Sequence, residues 1–350
     1  MRRVGGNLGG RVYVLKLITP RSEWYAKGKP MFRSFLIYLS KAAWARHIVT
    51  RWAFAWRAAS RFVAGEKVED AIAAVKSLNT KGIFATLDLL GEHTTTADEA
   101  RRAALDIQKM MDAIQEAGVK ANVSIKLTQI GLALGSDLCA ENLCQILAHA
   151  SEMNMFVRID MEDAPCVDAT LELYSRMRQQ YNLTNTGVVI QAYLYRSEAD
   201  VRRLAGMGTR IRLCKGAYKE PPEIAFPKKG DVDAQYDRLA EILLDGAVAN
   251  GAPFDNPDGK IPPIPAIASH DPERIESAKD YAEKAGLPKQ AIEFQMLNGI
   301  RRDLQEQLVR DGYPVRVYVP FGTEWYPYFV RRLAERPANL WFFISNFFRK

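Results

Sequence analysis

The sequence predicts an α/β protein: a distorted (β/α)8 TIM-like barrel with an N-terminal helical arm and a last helix over the barrel mouth. From residue 82 onward, short apolar runs alternate with longer helical patterns, eight times in 255 residues. Such alternation implies parallel strands covered by helices, and eight units close a barrel of this kind. A doubly wound open sheet is the alternative, but its glycine fingerprint, G-x-G-x-x-G, does not occur in the chain.

Each element follows from its own pattern along the chain. The predicted strands are the apolar runs at 83–90, 121–127, 156–161, 187–193, 210–213, 263–269, 291–296 and 315–319. The predicted helices are the patterns at 97–117, 138–153, 166–181, 197–207, 231–249, 272–285, 300–311 and 323–336. We expect a basic disordered arm at 1–31, N-terminal helices at 32–81, the catalytic barrel at 82–336 and an apolar tail at 337–350.

Residues 32–63 are predicted to form one long helix. The segment has no Pro, Gly, Asp or Glu, and it carries three Trp and six Lys or Arg. Its apolar positions are suited either to packing on the protein's own core or to lying on an anionic membrane as a basic amphipathic helix. The two uses are compatible, and the sequence leaves both open.

The positive charge is confined to the start of the chain. Lys and Arg number 48 and Asp and Glu 41, which gives a net charge of +7. Residues 1–67 hold 14 bases and two acids, a net of +12, so the remainder has a net of −5. A nucleic-acid-binding protein should show a basic face on its folded body. The distribution therefore argues against nucleic acid as a partner.

Cysteine usage and hydropathy exclude several other classes. None of the four Cys forms a C-x-x-C pair or has His at zinc-finger spacing, so we expect free thiols in a reducing compartment. No apolar run reaches the length of a membrane-spanning helix, and the first thirty residues lack the pattern of a signal peptide.

Polar side chains occupy six consecutive predicted strand ends. Barrel enzymes place their chemistry at the carboxyl ends of the strands, and buried charges are costly unless they are paired. Six such groups in phase therefore indicate a binding site for an anion or a polar heterocycle rather than for a metal. The groups are Lys126, Asp160, Gln191, Arg212 with Lys215, His270, and Gln295.

The last predicted helix carries a second polar cluster. Tyr328, Arg331, Arg332 and Glu335 lie on neighbouring faces by their three- and four-residue spacing. Adjacent arginines beside a tyrosine are suited to clamping a carboxylate. A solvated Arg–Glu helix face is the alternative on spacing alone, but a helix that follows the last strand can fold over the barrel mouth.

These segments together resemble the proline dehydrogenase family in its monofunctional bacterial, FAD-dependent form, over residues 68–340. Each motif is short, but eight in the family's order are specific. They are Ser-Ile-Lys-Leu at 124–127, Arg-Ile-Asp-Met-Glu at 158–162, Val-Ile-Gln-Ala-Tyr at 189–193, Ile-Arg-Leu-Cys-Lys-Gly-Ala-Tyr at 211–218, Ala-Ser-His-Asp at 268–271, Glu-Phe-Gln-Met-Leu at 293–297, Arg-Val-Tyr-Val-Pro-Phe-Gly at 316–322 and Tyr-Phe-Val-Arg-Arg-Leu-Ala-Glu at 328–335.

The resemblance implies a reaction and its setting. L-proline would be oxidised to 1-pyrroline-5-carboxylate by hydride transfer to N5 of FAD, the first step of proline degradation to glutamate. Electrons would pass to a membrane quinone. The protein would be cytoplasmic and peripherally associated with the inner face of the cell membrane, and a separate pyrroline-5-carboxylate dehydrogenase would perform the next step.

The resemblance also implies residue roles. Asp160 and Arg212 would be catalytic, with Arg212 beside the flavin. The FAD contacts would be Met161, Gln191, Arg212, Lys215, Gly216, Ala217, Ser269 and His270. The proline carboxylate would bind Lys126, Arg331 and Arg332, the ring would lie among Leu297, Tyr318 and Tyr328, and Glu335 would brace the cluster. No metal is implied.

Some positions depart from the family pattern, and two other functions remain open. Asp271 stands where Asn is common and is expected to weaken a cofactor contact; Ser269 replaces a common Thr and Lys219 a frequent Trp. The alternatives are a Schiff-base aldolase that uses Lys126 or Lys215 as its nucleophile, and a non-enzymatic membrane-surface protein on an inactive barrel.

Overall fold

Eight parallel strands form a closed barrel in the computed structural model, which describes residues 53–251 and 257–335. The strands follow one another in chain order around the barrel, and β1 pairs with β8 to close it. They are β1 Phe84–Leu89, β2 Ala121–Ile125, β3 Val157–Ile159, β4 Thr186–Gln191, β5 Ile211–Cys214, β6 Pro265–Ala268, β7 Glu293–Leu297 and β8 Val315–Phe321. The predicted fold class is confirmed, and every predicted strand overlaps the observed one.

Ten α-helices lie within the described ranges. They are α1 Ala53–Ala59, α2 Val68–Asn79, α3 Ala97–Ala117, α4 Ser136–Glu152, α5 Val167–Gln180, α6 Ser197–Gly206, α7 Lys229–Ala249, α8 Pro272–Lys284, α9 Arg302–Arg310 and α10 Trp325–Glu335. Local sequence sets the ends of α3. The Thr96 hydroxyl accepts from Glu99 N at 3.2 Å, the Glu99 carboxylate accepts from Thr96 N at 3.3 Å, and Gly118 ends the helix in the left-handed region.

The strands alternate between two different environments. In β8, Val315, Val317 and Val319 belong to the hydrophobic core. Arg316 instead bonds to Glu293 of the neighbouring strand β7, and Tyr318 bonds to Asp160 just past β3. This period of two follows from the pleat of a strand. The apolar set faces the helices and the polar set faces the barrel axis, so the axis of this barrel is largely polar.

The outer surface between β8 and β1 is covered by a helix that precedes the barrel and not by the helix that follows β8. Helix α2, which precedes β1, packs on both β8 and β1. Helix α10, which follows β8, packs instead on α1, with the Trp325 and Trp56 rings edge to face at 5.3 Å. Leu297, the last residue of β7, and Tyr318, in the middle of β8, pack against the same cluster. Helix α10 therefore covers the barrel mouth, as predicted.

The predicted helix over 32–63 ends earlier than expected. Its described part, α1, ends at Ala59, because the chain then turns to the end of β8: Ala64 N donates to Pro320 O at 2.9 Å and Gly322 N donates to Gly65 O at 3.0 Å. Residues 1–52, 252–256 and 336–350 lie outside the described part. The predictions for the arm at 1–31, for most of this helix and for the tail at 337–350 fall there. No described helix has the length and hydropathy needed to cross a bilayer.

Candidate active site

Asp160, just past β3, is the centre of a hydrogen-bonded group at the barrel mouth. Its Oδ1 accepts from Ser124 Oγ at 2.6 Å and from Arg212 Nη1 at 2.8 Å, and its Oδ2 accepts from the Tyr318 hydroxyl at 2.8 Å. Burial and the neighbouring carboxylates raise the pKa of Tyr318 well above its usual value. Tyr318 therefore remains a phenol that donates to Asp160. The structure thus brings together the predicted Asp160, Arg212 and Tyr318.

Lys126 is bound to a carboxylate that the sequence analysis did not single out. Its Nζ lies 3.0 Å from both carboxylate oxygens of Asp88 in β1, and both side chains are buried. Burial alone would lower the pKa of Lys126, but Asp88, Asp160 and Glu92 outweigh burial and raise it. A Schiff-base nucleophile must be a neutral amine. The environment of Lys126 therefore argues against the aldolase alternative at this residue.

Arg331 of α10 reaches across the mouth to the segment after β1. Its Nη2 lies 2.7 Å from Glu92 Oε1 and its Nη1 lies 3.2 Å from Glu92 Oε2. Burial would raise the pKa of Glu92, but Arg331 and Lys126 hold it below its usual value. Both partners retain about a quarter of their side-chain exposure, at 24% and 22%. The pair thus lies at the boundary between the mouth and solvent.

The other residues of the predicted α10 cluster occupy the same helix. The Arg332 guanidinium carbon lies 5.1 Å from the centre of the Tyr328 ring, and both side chains are buried. Glu335 is the last residue of α10, but its side chain lies outside the described part. The predicted bracing role of Glu335 stays a prediction.

Lys215, just past β5, belongs to a network of ion pairs. Its Nζ is bonded to Asp233 of α7 and lies 2.8 Å from Asp271 Oδ2, and Lys229 is bonded to Asp233 as well. Asp271 also caps α8, where it accepts from Glu273 N at 3.2 Å. The two aspartates thus hold Lys215 at the edge of the mouth.

His270 and Ser269 connect the ends of β6 and β7. His270 Nε2 accepts from Leu297 N at 2.9 Å, so the neutral ring carries its proton on Nδ1. The Ser269 hydroxyl oxygen accepts from Asp271 N at 3.1 Å. The backbone of Leu297 is thereby fixed to the residue that the sequence predicted to contact the cofactor.

The residues past β3, β4 and β5 leave polar atoms suited to a flavin. Gln191 donates from Nε2 to Met161 O at 3.4 Å and to Glu162 O at 3.2 Å, and its buried Oε1 has no hydrogen-bond partner among the described residues. A ring N–H of an isoalloxazine would satisfy such an acceptor. Gly216 adopts a φ of +108°, and a Cβ there would lie 2.3 Å from the Tyr193 ring. The backbone at Gly216 is therefore packed closely on the Tyr193 ring, and the unsatisfied acceptor of Gln191 fits the predicted FAD.

The residues singled out from the sequence begin at the second strand and so omit Asp88 and Glu92. Both follow the same pattern at the end of the first strand, so their position was a usable signal. The partnership of Asp233 with Lys215 had no signal, since it depends on how α7 packs. Within the described ranges, no three His, Cys, Asp or Glu side chains are grouped to hold a metal ion.

Comparisons with known proteins agree on one family. A family model described as proline dehydrogenase matches residues 71–344. Proline dehydrogenase of Deinococcus radiodurans is 42% identical over 295 residues, 83% of this chain and 90% of that protein. Proline dehydrogenase 1 of Bacillus subtilis is 38% identical over 324 residues, 91% of this chain and 100% of that protein.

A solved structure supports the fold. The crystal structure of proline utilization A (PutA) from Bdellovibrio bacteriovorus, inactivated by N-propargylglycine, matches with a TM-score of 0.74 at 25% identity. The match covers 89% of this chain and 37% of that chain, so this chain spans little more than a third of the longer protein.

Proposed function

The chain belongs to the proline dehydrogenase family, and from this premise we propose that it oxidises L-proline at the barrel mouth with FAD as its cofactor. Membership makes it an oxidoreductase that acts on proline, in the first step of proline catabolism. The observation that supports the finer proposal is that Arg331 and Lys126 both lie close enough to Glu92 to lower its pKa, while Gln191 and Arg212 belong to β4 and β5.

The substrate carboxylate is proposed to bind Arg331, with Arg332 and Lys126 nearby. In the described state Arg331 is engaged by Glu92 through two hydrogen bonds. A carboxylate ligand has the same two-oxygen geometry as Glu92, so the ligand can take its place on the guanidinium. Glu92 thus keeps Arg331 oriented until the substrate arrives.

The pyrrolidine ring is proposed to lie among Leu297, Tyr318 and Tyr328. These side chains belong to or pack against the apolar cluster under α10, so they offer hydrophobic walls and exclude water from the ring. The hydrogen bond of the Tyr318 hydroxyl to Asp160 fixes the tilt of its ring. The walls thereby orient the ring carbon that loses hydride.

FAD, when bound, supplies the hydride acceptor, and the product is 1-pyrroline-5-carboxylate. The residues proposed to hold it are Met161, Gln191, Arg212, Lys215, Gly216, Ala217, Ser269 and His270. Arg212 brings a positive charge that Asp160 and Tyr318 hold in place, and such a charge favours an anionic reduced flavin.

The electron acceptor is proposed to be a membrane quinone, reached from the inner face of the cell membrane. Support comes from the charge distribution, since residues 1–67 carry a net charge of +12. The attraction of each base near an anionic lipid surface contributes about 1 kcal/mol to membrane binding.

A separate pyrroline-5-carboxylate dehydrogenase is proposed to oxidise the product further, since the pyrrolidine pocket at the mouth serves only the first oxidation.

The decisive experiment is anaerobic addition of L-proline to the purified protein. We expect a flavin absorbance spectrum that bleaches with proline, and reoxidation by a short-chain quinone. A colourless protein that traps a carbonyl substrate with borohydride would instead favour the aldolase. A protein without flavin and without proline-dependent dye reduction would favour a non-enzymatic membrane-surface protein.

Membrane association is tested separately with full-length protein. Replacing the six bases at 33, 41, 46, 51, 57 and 61 with Gln should abolish binding to vesicles of phosphatidylglycerol and phosphatidylcholine. It should leave proline-dependent dye reduction unchanged. Equal vesicle binding by the two proteins would remove the proposed anchor.

A further inference from the structure

We propose that Gln295 is a positioning residue for Arg212, and that the Glu293–Arg316 ion pair on the floor of the barrel holds Gln295 in its working orientation. The inference rests on the proposed function only in placing the flavin next to Arg212. It gives a role to the buried side chains of Glu293, Gln295 and Arg316 on the barrel axis, which belong neither to the proposed substrate contacts nor to the proposed FAD contacts.

The link begins with the guanidinium of Arg212. Its Nε donates to Gln295 Oε1 at 2.5 Å, and its Nη1 donates to Asp160 Oδ1 at 2.8 Å. The two acceptors come from β7 and from the end of β3, and the guanidinium is planar. Two fixed nitrogens of a planar group fix its third. Nη2 makes no hydrogen bond within the described ranges and is not fully buried, so it is the nitrogen left for a ligand.

The amide of Gln295 has one orientation that satisfies both of its neighbours. Its Nε2 donates to Glu293 Oε1 at 2.6 Å, while its Oε1 receives the Arg212 Nε–H. A guanidinium only donates and a carboxylate only accepts. Turning the amide over would set donor against donor and acceptor against acceptor. Gln295 therefore transmits the position of Glu293 to Arg212.

Glu293 is itself immobilised by Arg316. Arg316 Nε and Nη2 donate to the two Glu293 oxygens at 2.8 and 3.0 Å. Arg316 also donates to Ala85 O at 2.7 Å and to Gly259 O at 2.8 Å. Glu293 is fully buried and Arg316 is 1% exposed. The floor pair is thus tied to backbone carbonyls on both sides, and its geometry has little freedom.

The neutral amide at 295 also affects the net charge around Arg212 at the mouth. Glu293 is already neutralised by Arg316, and Gln295 is neutral, so the chain of contacts adds no compensating negative charge at Arg212. Arg212 already pairs with Asp160 at 2.8 Å, so a glutamate at 295 would set a second carboxylate against the same guanidinium and would also face the Glu293 carboxylate. The side chain at 295 therefore has to accept from Arg212 without a charge, which Gln does.

The test uses full-length Gln295→Glu and Gln295→Met, with Gln307→Glu as the matched control. Gln307 is exposed on α9, so this control adds the same charge away from the axis. We expect Gln295→Glu to lower the ratio of reduced to oxidised flavin at least tenfold against a reference dye, which is about 30 mV for a two-electron couple. Gln295→Met should keep its flavin but lose at least tenfold in kcat.

A second readout does not need the flavin. In protein labelled with ¹⁵N-arginine, the Arg212 Nε–H, assigned with Arg212→Lys, should exchange slowly with solvent, and Gln295→Met should speed that exchange at least tenfold. Fast exchange in the wild type, or variants that melt earlier but keep the wild-type flavin ratio and kcat, would overturn the proposal. A protected Nε–H in a protein that does not oxidise proline would refute the proposed function alone.

Discussion

Removal of Arg331 should weaken proline binding strongly while the flavin stays bound. Arg331 lies at the boundary between the barrel mouth and solvent, and its two outer nitrogens already bind a carboxylate, that of Glu92. Arg331→Ala removes both donors at once. None of the residues proposed to contact FAD bonds to Arg331 in the described part of the chain.

The size of the effect follows from two opposing contributions. Two charge-assisted hydrogen bonds to the substrate contribute about 3–6 kcal/mol. The wild type must first release Glu92, and a pair with this much solvent exposure contributes only about 1 kcal/mol. The net loss is then about 2–5 kcal/mol, which is about 30- to 4,000-fold in affinity.

The assay is KM for proline by dye reduction, with flavin absorbance per protein measured on the same samples. Arg331→Lys should lie between the wild type and Arg331→Ala, because Lys keeps the charge but not the two-pronged geometry. Arg310→Ala, an exposed arginine on α9, is the matched control. Loss of flavin together with unchanged proline affinity would refute the assignment.

Three further predictions concern the same mouth. Arg331 and Lys126 outweigh burial and depress the pKa of Glu92, so the stability that Glu92 contributes is present above its unfolded pKa and is lost as pH falls through its folded pKa. The difference in melting temperature between Glu92→Gln and the wild type should therefore be largest near neutral pH and smallest in acid. A difference that does not change with pH would contradict this. Asp271→Asn removes one of two carboxylates that bind Lys215, a proposed FAD contact, and so leaves its ammonium group more available to the cofactor. Fluorescence titration should then show FAD binding severalfold tighter; weaker binding would show that Asp271 assists the cofactor. Gly216→Val meets both a φ of +108° and an aromatic ring at 2.3 Å, and it should cost about 1–3 kcal/mol of folding free energy, measured by urea unfolding; an unchanged midpoint would contradict the strain.

The alternation of side chains between the two faces of each strand made much of the site predictable. Because side chains alternate along a strand, a Lys, Asp or Arg inside an apolar run has to point to the barrel axis. Lys126, Asp160 and Arg212 were found in this way, and they do converge. The bounds of α3 were predicted at 97–117 and observed there, since Thr96 and Gly118 are strong local signals.

Partnerships between distant segments were not predictable. Whether Lys126 binds a substrate or Asp88 depends on the register of β1 against β2, which no local pattern fixes. The position of the last helix over the mouth was predicted, but no sequence signal indicated that α2 covers the gap between β8 and β1. Helix α2 fills that gap because α10 packs on α1 instead.

The closure between β1 and β8 has a consequence for biosynthesis. Phe84 and Arg316 pair across it, and they are 232 positions apart (316 minus 84). At translation rates of about 5–20 residues per second, roughly 12–46 s pass between the synthesis of β1 and that of its neighbour β8. During that interval β1 has an unpaired edge, and α2, although synthesised first, has only half of its docking surface. The nascent chain is therefore exposed to aggregation or chaperone capture throughout that interval, until β8 leaves the ribosome.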